Sequence, residues 1–253
     1  MKIIFHKDFH KTYTTDPAAA EGRLKPAEKK LRRSFDFVSA QPAKLIDIER
    51  VHTKTHIRDV QRATQVYPLA LLAAGGTLQA ARLALAGQPA FALVRPPGHH
   101  ASPNSCWGFC YFNNIAVAVA TLLDEGLIAT ALILDIDLHF GDGTDNTFDA
   151  RQEVEYLHPE GSNNKDWLAE CRRELDAAKP ADLIAVSAGF DRHIEDWGTT
   201  LETESYRTIG SWVKDWAEQH CRNRMFAVLE GGYNHETLAD AAQALAEGMQ
   251  ESR

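Results

Sequence analysis

Apolar runs and periodic amphipathic segments alternate along most of the chain. Short apolar runs have the length and composition of buried strands, at residues 91–94, 129–135, 154–157, 183–187 and 225–229. The intervening segments carry apolar residues at three- and four-residue steps, as helices do, at residues 76–86, 115–125, 166–178, 204–220 and 235–250. This alternation predicts a mostly parallel sheet with helices on both faces, a three-layer α/β/α fold.

The first 75 residues are less regular. Residues 2–5 predict a strand, and residues 43–48 are strand-like. Residues 21–39 and 55–65 predict two helices on either side of that second segment. Because no repeat, low-complexity tract or linker interrupts the chain, we expect a single α/β domain over residues 1–253.

Composition narrows the range of partners. The 253 residues are 44% hydrophobic and 25% charged, which fits an ordinary globular domain. The net charge of −8 argues against a nucleic-acid partner, and the basic cluster at residues 29–33 is typical of an exposed helix face. We find no run near the ~20 apolar residues of a membrane span, so no membrane partner is expected.

The four cysteines indicate a compartment rather than a site. They form no Cys-x-x-Cys pair and no zinc-finger spacing, so we expect four free thiols in a reducing environment. The amino terminus has no apolar run of signal-peptide length. These two observations lead us to expect a cytoplasmic location.

The segment LDIDLHFGD, residues 134–142, holds the most informative side chains. Along an extended chain Asp135, Asp137 and His139 project to one side, at or just past the carboxyl end of a predicted strand. Open α/β sheets place their ligands at that end. Two carboxylates and an imidazole crowded there are costly to desolvate unless a cation or hydrogen-bond partners compensate, so the pattern indicates a divalent metal site.

A third ligand is available from another strand end. Asp191 follows the apolar run at 183–187, and with Asp137 and His139 it supplies two carboxylates and one imidazole. Three protein ligands with an open position are typical of a catalytic zinc site. The same donor set also suits Fe(II), Mn(II) or Co(II), and the sequence does not choose among them.

Further strand-end turns supply groups for proton transfer. His99 and His100 follow a Pro-Pro-Gly turn and could act as general base and general acid, each with a carboxylate behind it. Asp135 and Asp142 are the spare acids for that purpose. Tyr233, in a Gly-Gly-Tyr turn, could donate a hydrogen bond to an oxyanion. Each motif alone has a plain structural explanation; the functional interpretation depends on their occurring together at strand ends.

Together these motifs resemble the histone deacetylase and acetylpolyamine amidohydrolase superfamily, in its class II form, whose fold is the arginase-like α/β fold. Five segments follow one another in the order found in that family, RPPGHHA at 95–101, GFCYFNN at 108–114, DIDLHFGDGT at 135–144, SAGFD at 187–191 and EGGYN at 230–234. The resemblance covers about residues 75–250, and is fainter before them.

The resemblance implies roles for the residues that match these motifs. It implies three zinc ligands, namely Asp137, His139 and Asp191. It implies two histidine–carboxylate pairs, namely His99 with Asp135 and His100 with Asp142. Phe109 would line one wall of the acyl-lysine tunnel. Gly108 would accept a hydrogen bond from the substrate amide near the mouth of the tunnel, and Tyr233 would polarise the scissile carbonyl.

The reaction implied is metal-assisted hydrolysis of an amide. The metal and Tyr233 would bind the acyl oxygen while an activated water attacks the acyl carbon. His100 would be the general base and would protonate the leaving amine, and His99 would stay charged. Some subgroups of the family carry histidine instead of this tyrosine and are feeble deacetylases, so Tyr233 predicts a competent enzyme.

Several segments depart from the family. Residues 158–165 are abbreviated, and the second aromatic wall of the tunnel has no obvious counterpart, which predicts a shallower site. Relatives often bind structural potassium beside the metal strand. Tyr156 falls where they commonly have a serine ligand, so structural potassium is possible here but disfavoured. The loop around Tyr67 and Pro68 is short and offers no clear acid to grip a substrate backbone.

Three functions remain open from the sequence. The leading one is a deacylase acting on acyl-lysine in proteins or on acetylpolyamines. An arginase-type ureohydrolase shares the fold but would need more acidic and histidine ligands for two manganese ions. A catalytically silent acyl-binding module would keep the fold without turnover. The sequence leaves the acyl length, the native metal and the oligomeric state undetermined.

Overall fold

A seven-stranded sheet forms the centre of the molecule, in the computed structural model that describes residues 1–250. All neighbouring strands are parallel, in the order β2-β1-β3-β7-β6-β4-β5. The strands are β1 (Lys2–Phe5), β2 (Asp36–Ser39), β3 (Ala90–Ala92), β4 (Ala131–Asp135), β5 (Val154–Leu157), β6 (Ile184–Ala188) and β7 (Met225–Leu229). The predicted parallel α/β fold is confirmed.

Nine α-helices cover the sheet within the described residues. They are α1 (Lys25–Leu31), α2 (Leu45–Ile48), α3 (Lys54–Arg62), α4 (Tyr67–Leu85), α5 (Asn114–Asp124), α6 (Asp142–Phe148), α7 (Asn164–Ala177), α8 (Thr203–His220) and α9 (His235–Gly248). The helices pack against one another in two groups. One group contains α1, α7, α8 and α9, and the other contains α2 to α6. Helix α4 packs on β1, β3 and β7, and α8 packs on β7, so the sheet lies between helical layers.

The central strands bring the site together. Every residue of β3, β4, β6 and β7 is buried, which explains why these strands read as continuous apolar runs. These four strands are neighbours in the sheet and run in the same direction. The loops that follow them therefore meet at one edge, although residues 95 and 234 are far apart in sequence.

The prediction of a helix over 21–39 is wrong in its second half. Helix α1 ends at Leu31, and residues 36–39 form β2, which pairs in parallel with β1. The Phe37 ring contacts the ring of Phe5, with centroids 6.0 Å apart. The free edge of β1 offers a ladder of backbone hydrogen bonds to this segment, and that tertiary gain outweighs its local helical pattern.

The prediction of a strand over 43–48 is also wrong. Residues 45–48 form α2, where the carboxylate of Asp47 accepts a hydrogen bond from the backbone N–H of Lys44 at 3.1 Å. The apolar side chains of Leu45 and Ile46 are 46% and 57% exposed. The apolar run that suggested a buried strand is therefore partly a surface feature.

Helix α4 begins nine residues before its predicted start at residue 76 (67 against 76). Pro68 lies in its first turn, and its sides are apolar almost all round, so no one-sided periodicity marks its beginning. By length and composition α4 could cross a membrane, contrary to the expectation that no segment comes near this; 67% of its apolar window is buried inside the fold. Helix α6 was not predicted, because its Asp, Gly, Asn and Thr residues are typical of turns.

Candidate active site

A cavity of about 320 Å³ opens at the carboxyl edge of the central strands. It is lined by residues of the four loops that follow β3, β4, β6 and β7, namely Pro97, His99, His100, Trp107, Gly108, Phe109, His139, Trp197, Gly231 and Tyr233. Six of the predicted site residues, His99, His100, Gly108, Phe109, His139 and Tyr233, are among them.

The three predicted metal ligands meet at the base of this region. Asp137, His139 and Asp191 each offer one ligand atom, and these atoms all lie within 4.8 Å of one another. The Nδ1 atom of His139 lies 3.2 Å from Asp137 Oδ1 and 3.1 Å from Asp191 Oδ2. Ligands bound tetrahedrally at zinc distances are ~3.3 Å apart. Asp191 Oδ2 is buried and lacks a hydrogen-bond partner, so the donor set fits a divalent cation.

Backbone groups hold the carboxylate of Asp137 in place. Its Oδ1 accepts from the N–H of His139 at 2.9 Å, and its Oδ2 accepts from the N–H of Gly231 at 2.8 Å. A Cβ atom added at Gly189 would lie 2.0 Å from Asp137 Oδ2, and one at Gly231 would lie 2.6 Å from it. The two motif glycines therefore allow the loops after β6 and β7 to approach this carboxylate.

The three ligands also influence one another's protonation. Burial and then the neighbouring Asp137 raise the pKa of Asp191. Hydrogen bonding to the Asp137 carboxylate, and then the close carboxylate of Asp191, raises the pKa of His139 to about 10. A cation bound here must therefore displace a proton from the cluster, which makes metal binding weaker at low pH.

Two histidine–carboxylate pairs lie beside the cluster. His99 Nδ1 is 3.0 Å from Asp135 Oδ2, and His100 Nδ1 is 2.6 Å from Asp142 Oδ1. Burial alone would lower the pKa of His99, but Asp137 and Asp135 outweigh it and raise that pKa well above its usual value. Burial and then His99 lower the pKa of His100. This difference leaves His100 the neutral member, able to accept a proton.

The turn that carries the histidine pair is held by Glu230. Its Oε2 accepts hydrogen bonds from the N–H groups of Gly98 at 2.6 Å and His99 at 3.1 Å. Burial raises the pKa of Glu230 to about 7. This glutamate belongs to the EGGYN motif, but the motif does not indicate which backbone groups it would hold.

Tyr233 lies in a pocket of aromatic and cationic groups. Its ring stacks on Trp197 at 3.9 Å between centroids and meets Phe109 edge-on at 6.0 Å. The buried Arg23 guanidinium lies 5.4 Å from the ring centroid and donates to the carbonyl of Gly232 at 2.8 Å. Burial and then the carboxylates of Asp137 and Asp191 raise the pKa of Tyr233, so its hydroxyl stays protonated and can donate a hydrogen bond.

The cavity is also lined by two tryptophans that the sequence analysis did not include among the site residues. The ring of Trp107 packs at a tilt against that of His100, with centroids 3.9 Å apart, and its Nε1 donates to Asp142 Oδ2 at 2.9 Å. Trp107 and Trp197 remain 56% and 51% exposed. The only sign in the sequence that they belong to the site is their position, because they lie in the loops that carry Gly108 and Asp191. The two tryptophans line a cavity for which the sequence predicted only one aromatic wall, that of Phe109.

Comparisons with known proteins identify relatives of this chain. The family described as "Histone deacetylase domain" matches residues 18–164 and 159–249. A "Probable deacetylase" of Archaeoglobus fulgidus is 32% identical, over 92% of this chain and 81% of that protein. A "Histone deacetylase-like amidohydrolase" of Pseudomonas aeruginosa is 27% identical, over 92% and 78%. The crystal structure of the HDA15 HD domain aligns with a TM-score of 0.86 over 99% of this chain and 90% of that chain, at 24% identity, which shows the shared fold.

The loop bearing the histidine pair is also supported from the first part of the chain. His52 is buried; its Nδ1 lies 3.1 Å from the carbonyl oxygen of Ser102, and its Nε2 accepts from the N–H of Asn113 at 2.9 Å. Burial and then His56 lower the pKa of His52 to about 3. His52 is therefore neutral in the folded protein at pH values where the unfolded chain would already be protonated.

This difference predicts that part of the free energy of unfolding is lost at acidic pH. Since the unfolded His52 binds a proton below its ordinary pKa and the folded one does not, stability should fall on acidification, by about 2 kcal/mol between pH 7.5 and pH 5 from this group. His52→Gln can keep both hydrogen bonds and should remove that part of the pH dependence. Denaturant unfolding at the two pH values measures it, with His220→Gln on the exposed end of α8 as control. An identical pH dependence in wild type and His52→Gln would contradict the assignment.

Proposed function

The chain belongs to the histone deacetylase family and is a hydrolase of that family, and from this we propose that it is a zinc-dependent deacylase that cleaves the amide of an acylated amine. The observation that carries the proposal is the arrangement around one cavity. His139, His99, His100 and Tyr233 line the same space of about 320 Å³. Behind them, Asp137 and Asp191 complete a metal-ligand set with His139, and Asp135 and Asp142 pair with the two other histidines.

The chain's own groups have complementary tasks in this reaction. A divalent ion held by Asp137, His139 and Asp191 would polarise the acyl carbonyl and lower the pKa of a water molecule. His100 takes a proton from the attacking water and delivers it to the leaving amine nitrogen, so that the C–N bond breaks and a carboxylate and an amine are released. Tyr233 donates a hydrogen bond to the developing oxyanion.

The two histidine pairs then differ in function. Asp142 orients the neutral His100 through the 2.6 Å contact with Nδ1, which leaves Nε2 to face the reacting groups. His99, between Asp135 and Asp137, stays protonated and supports the oxyanion electrostatically. The raised pKa of His99 and the lowered pKa of His100 favour this assignment over the reverse one.

We propose an acylated lysine side chain or an acetylpolyamine as the substrate. The chain that carries the acylated nitrogen would lie among Trp107, Phe109 and Trp197, which give the cavity aromatic sides. The net charge of −8 favours a cationic substrate through long-range attraction. We propose no nucleic-acid or membrane partner, and a reducing cytoplasmic location.

A ureohydrolase of the arginase type is less well supported. Among residues 1–250, a second group that could hold a metal consists of His99, Cys110 and Glu230, all buried. Glu230 already accepts two backbone hydrogen bonds, and His99 is paired with Asp135. That group therefore does not resemble the oxygen-rich second manganese site such a reaction needs.

The proposed activity can be tested with a substrate panel. We expect the zinc-loaded protein to release carboxylate from acetyl-lysine peptides, longer acyl-lysine peptides or acetylpolyamines, to lose that activity on chelation and to regain it with zinc. Metal analysis should find one ion per chain. No turnover on the whole panel by fully loaded protein would instead favour a silent acyl-binding module, and two ions per chain would favour the ureohydrolase.

Tyr233→Phe isolates the oxyanion donor. The ring keeps its packing on Trp197, but the hydroxyl is lost, so kcat should fall ~10²-fold or more by analogy with other oxyanion donors. Zinc content should be unchanged. Tyr67→Phe, which removes a hydroxyl on the outside of the fold, is the matched control and should keep wild-type turnover. Full activity of Tyr233→Phe would rule out this role.

Trp197→Ala tests the aromatic side of the cavity. In a series of N-acetyl alkylamines, each added methylene that contacts the protein should raise kcat/KM of the wild type, by up to ~4-fold if fully buried. Trp197→Ala should flatten this dependence on chain length, while Trp197→Phe should largely restore it. The same slope in wild type and Trp197→Ala would show that this indole does not contact the substrate chain.

A further inference from the structure

A buried guanidinium lies behind the metal-binding loop. Arg192 is 5% exposed, and its Nη2 donates to the carbonyl of Asp137 at 2.8 Å and to that of Leu138 at 3.2 Å. The guanidinium also lies 5.5 Å from the ring centroid of Trp167. Throughout residues 1–250 no carboxylate comes within ion-pair distance of it. A buried cation without an anionic partner is costly, which indicates that its charge serves the neighbouring site.

A phenol completes the same region. The hydroxyl of Tyr156 donates to Asp135 Oδ2 at 3.0 Å and accepts from the N–H of Gly141 at 2.9 Å. The same oxygen of Asp135 is 3.0 Å from Nδ1 of His99. Burial and then Asp135 raise the pKa of Tyr156, so the hydroxyl remains a donor. Tyr156 and His99 therefore hold one carboxylate between them.

These contacts leave no space for the structural potassium ion that relatives often bind at this place. Potassium is bound by several oxygens, among them backbone carbonyls, that replace its hydration shell. Here two carbonyls of the metal loop already accept from Arg192, and the Asp135 oxygen accepts from Tyr156. A Cβ added at Gly141 would lie 2.5 Å from Asp135 Oδ2 and 2.7 Å from the Tyr156 hydroxyl, so this space is filled. The residues do not fit a bound monovalent cation.

We infer that Arg192 and Tyr156 are positioning residues that replace a structural monovalent cation at this place. The guanidinium supplies a fixed positive charge and two hydrogen bonds to the loop that carries Asp137 and His139. The phenol holds Asp135 in the orientation that His99 requires. Because a guanidinium is always protonated and is part of the chain, this support does not depend on the ions in solution.

The first consequence concerns the wild-type protein. Its thermal midpoint and its turnover should be the same in potassium, sodium and choline chloride at equal ionic strength. An ion that binds the folded state raises its stability, so a potassium-specific rise of the midpoint or of kcat would overturn the inference. The inference rests on the proposed function only for the turnover readout. Absence of turnover would contradict that function, while the midpoints of the metal-free protein would still decide the potassium question.

Variants test the two residues directly. Tyr156→Phe keeps the ring and loses the hydroxyl, and Arg192→Met keeps the length and loses the charge. Each should lower kcat about tenfold or more, as the loss of a residue that orients a metal ligand or its neighbour typically does, with KM little changed. Arg192→Lys should recover much of the loss. Arg151→Met, at a surface ion pair, is the control for arginine removal.

The double variant Arg192→Ala/Tyr156→Ser carries the serine found in relatives and frees the carbonyls of the loop. Here we expect potassium, compared with choline, to raise both the midpoint and kcat. Such a response is not expected if the two residues merely fill space. Folded single variants with wild-type kcat, or a double variant that is folded and indifferent to potassium, would contradict the inference.

Discussion

The compensation of buried carboxylates at one edge of the sheet is the constraint on which the site depends. Asp135, Asp137, Asp191 and Glu230 are all essentially inaccessible to solvent. Each is compensated differently: Asp135 by an imidazole and a phenol, Asp137 by backbone N–H groups, and Glu230 by the turn of the histidine pair. Only Asp191 keeps an oxygen without a hydrogen-bond partner, and that oxygen points to where a cation fits. The predicted metal site is thus the place where the hydrogen-bond arrangement around these carboxylates is incomplete.

Both the sheet and the first part of the chain hold the site residues in position. Four adjacent buried strands fix the positions where the loops begin, so the predicted metal ligands and Tyr233 are placed by strand order. Two buried arginines tie the segment before α1 to the same region. Arg23 donates to the carbonyls of Gly232 and Glu230, both at 2.8 Å, and Arg95 donates to that of Ala20 at the same distance. Burying arginines against carbonyls satisfies backbone acceptors that no sheet or helix could reach.

The sequence was sufficient for the parts of the site that depend on local order. Asp135 to Asp142 are close because they are neighbours in sequence, and Asp191 joins them because parallel strands end at one edge. The sequence was insufficient where the position of a residue depends on the path of a loop. The place of Trp197 depends on Asp196, whose carboxylate accepts from the N–H groups of Tyr233 at 2.7 Å and Asn234 at 2.8 Å. The strand β2 and the helix α2 were misjudged for a similar reason, since their partners lie elsewhere in the chain.

The loop between β6 and α8 divides its tasks along its length. Its buried root carries Asp191, where space and charge allow little variation, whereas its tip carries the half-exposed Trp197 six residues later (191 to 197). Changes at Trp197 can alter which molecules fit the cavity without replacing Asp191. This separation makes the enzyme evolvable: a lineage, or a laboratory library confined to residues 194, 195 and 197, could vary the molecules that fit while Asp191 and Asp196 stay unchanged.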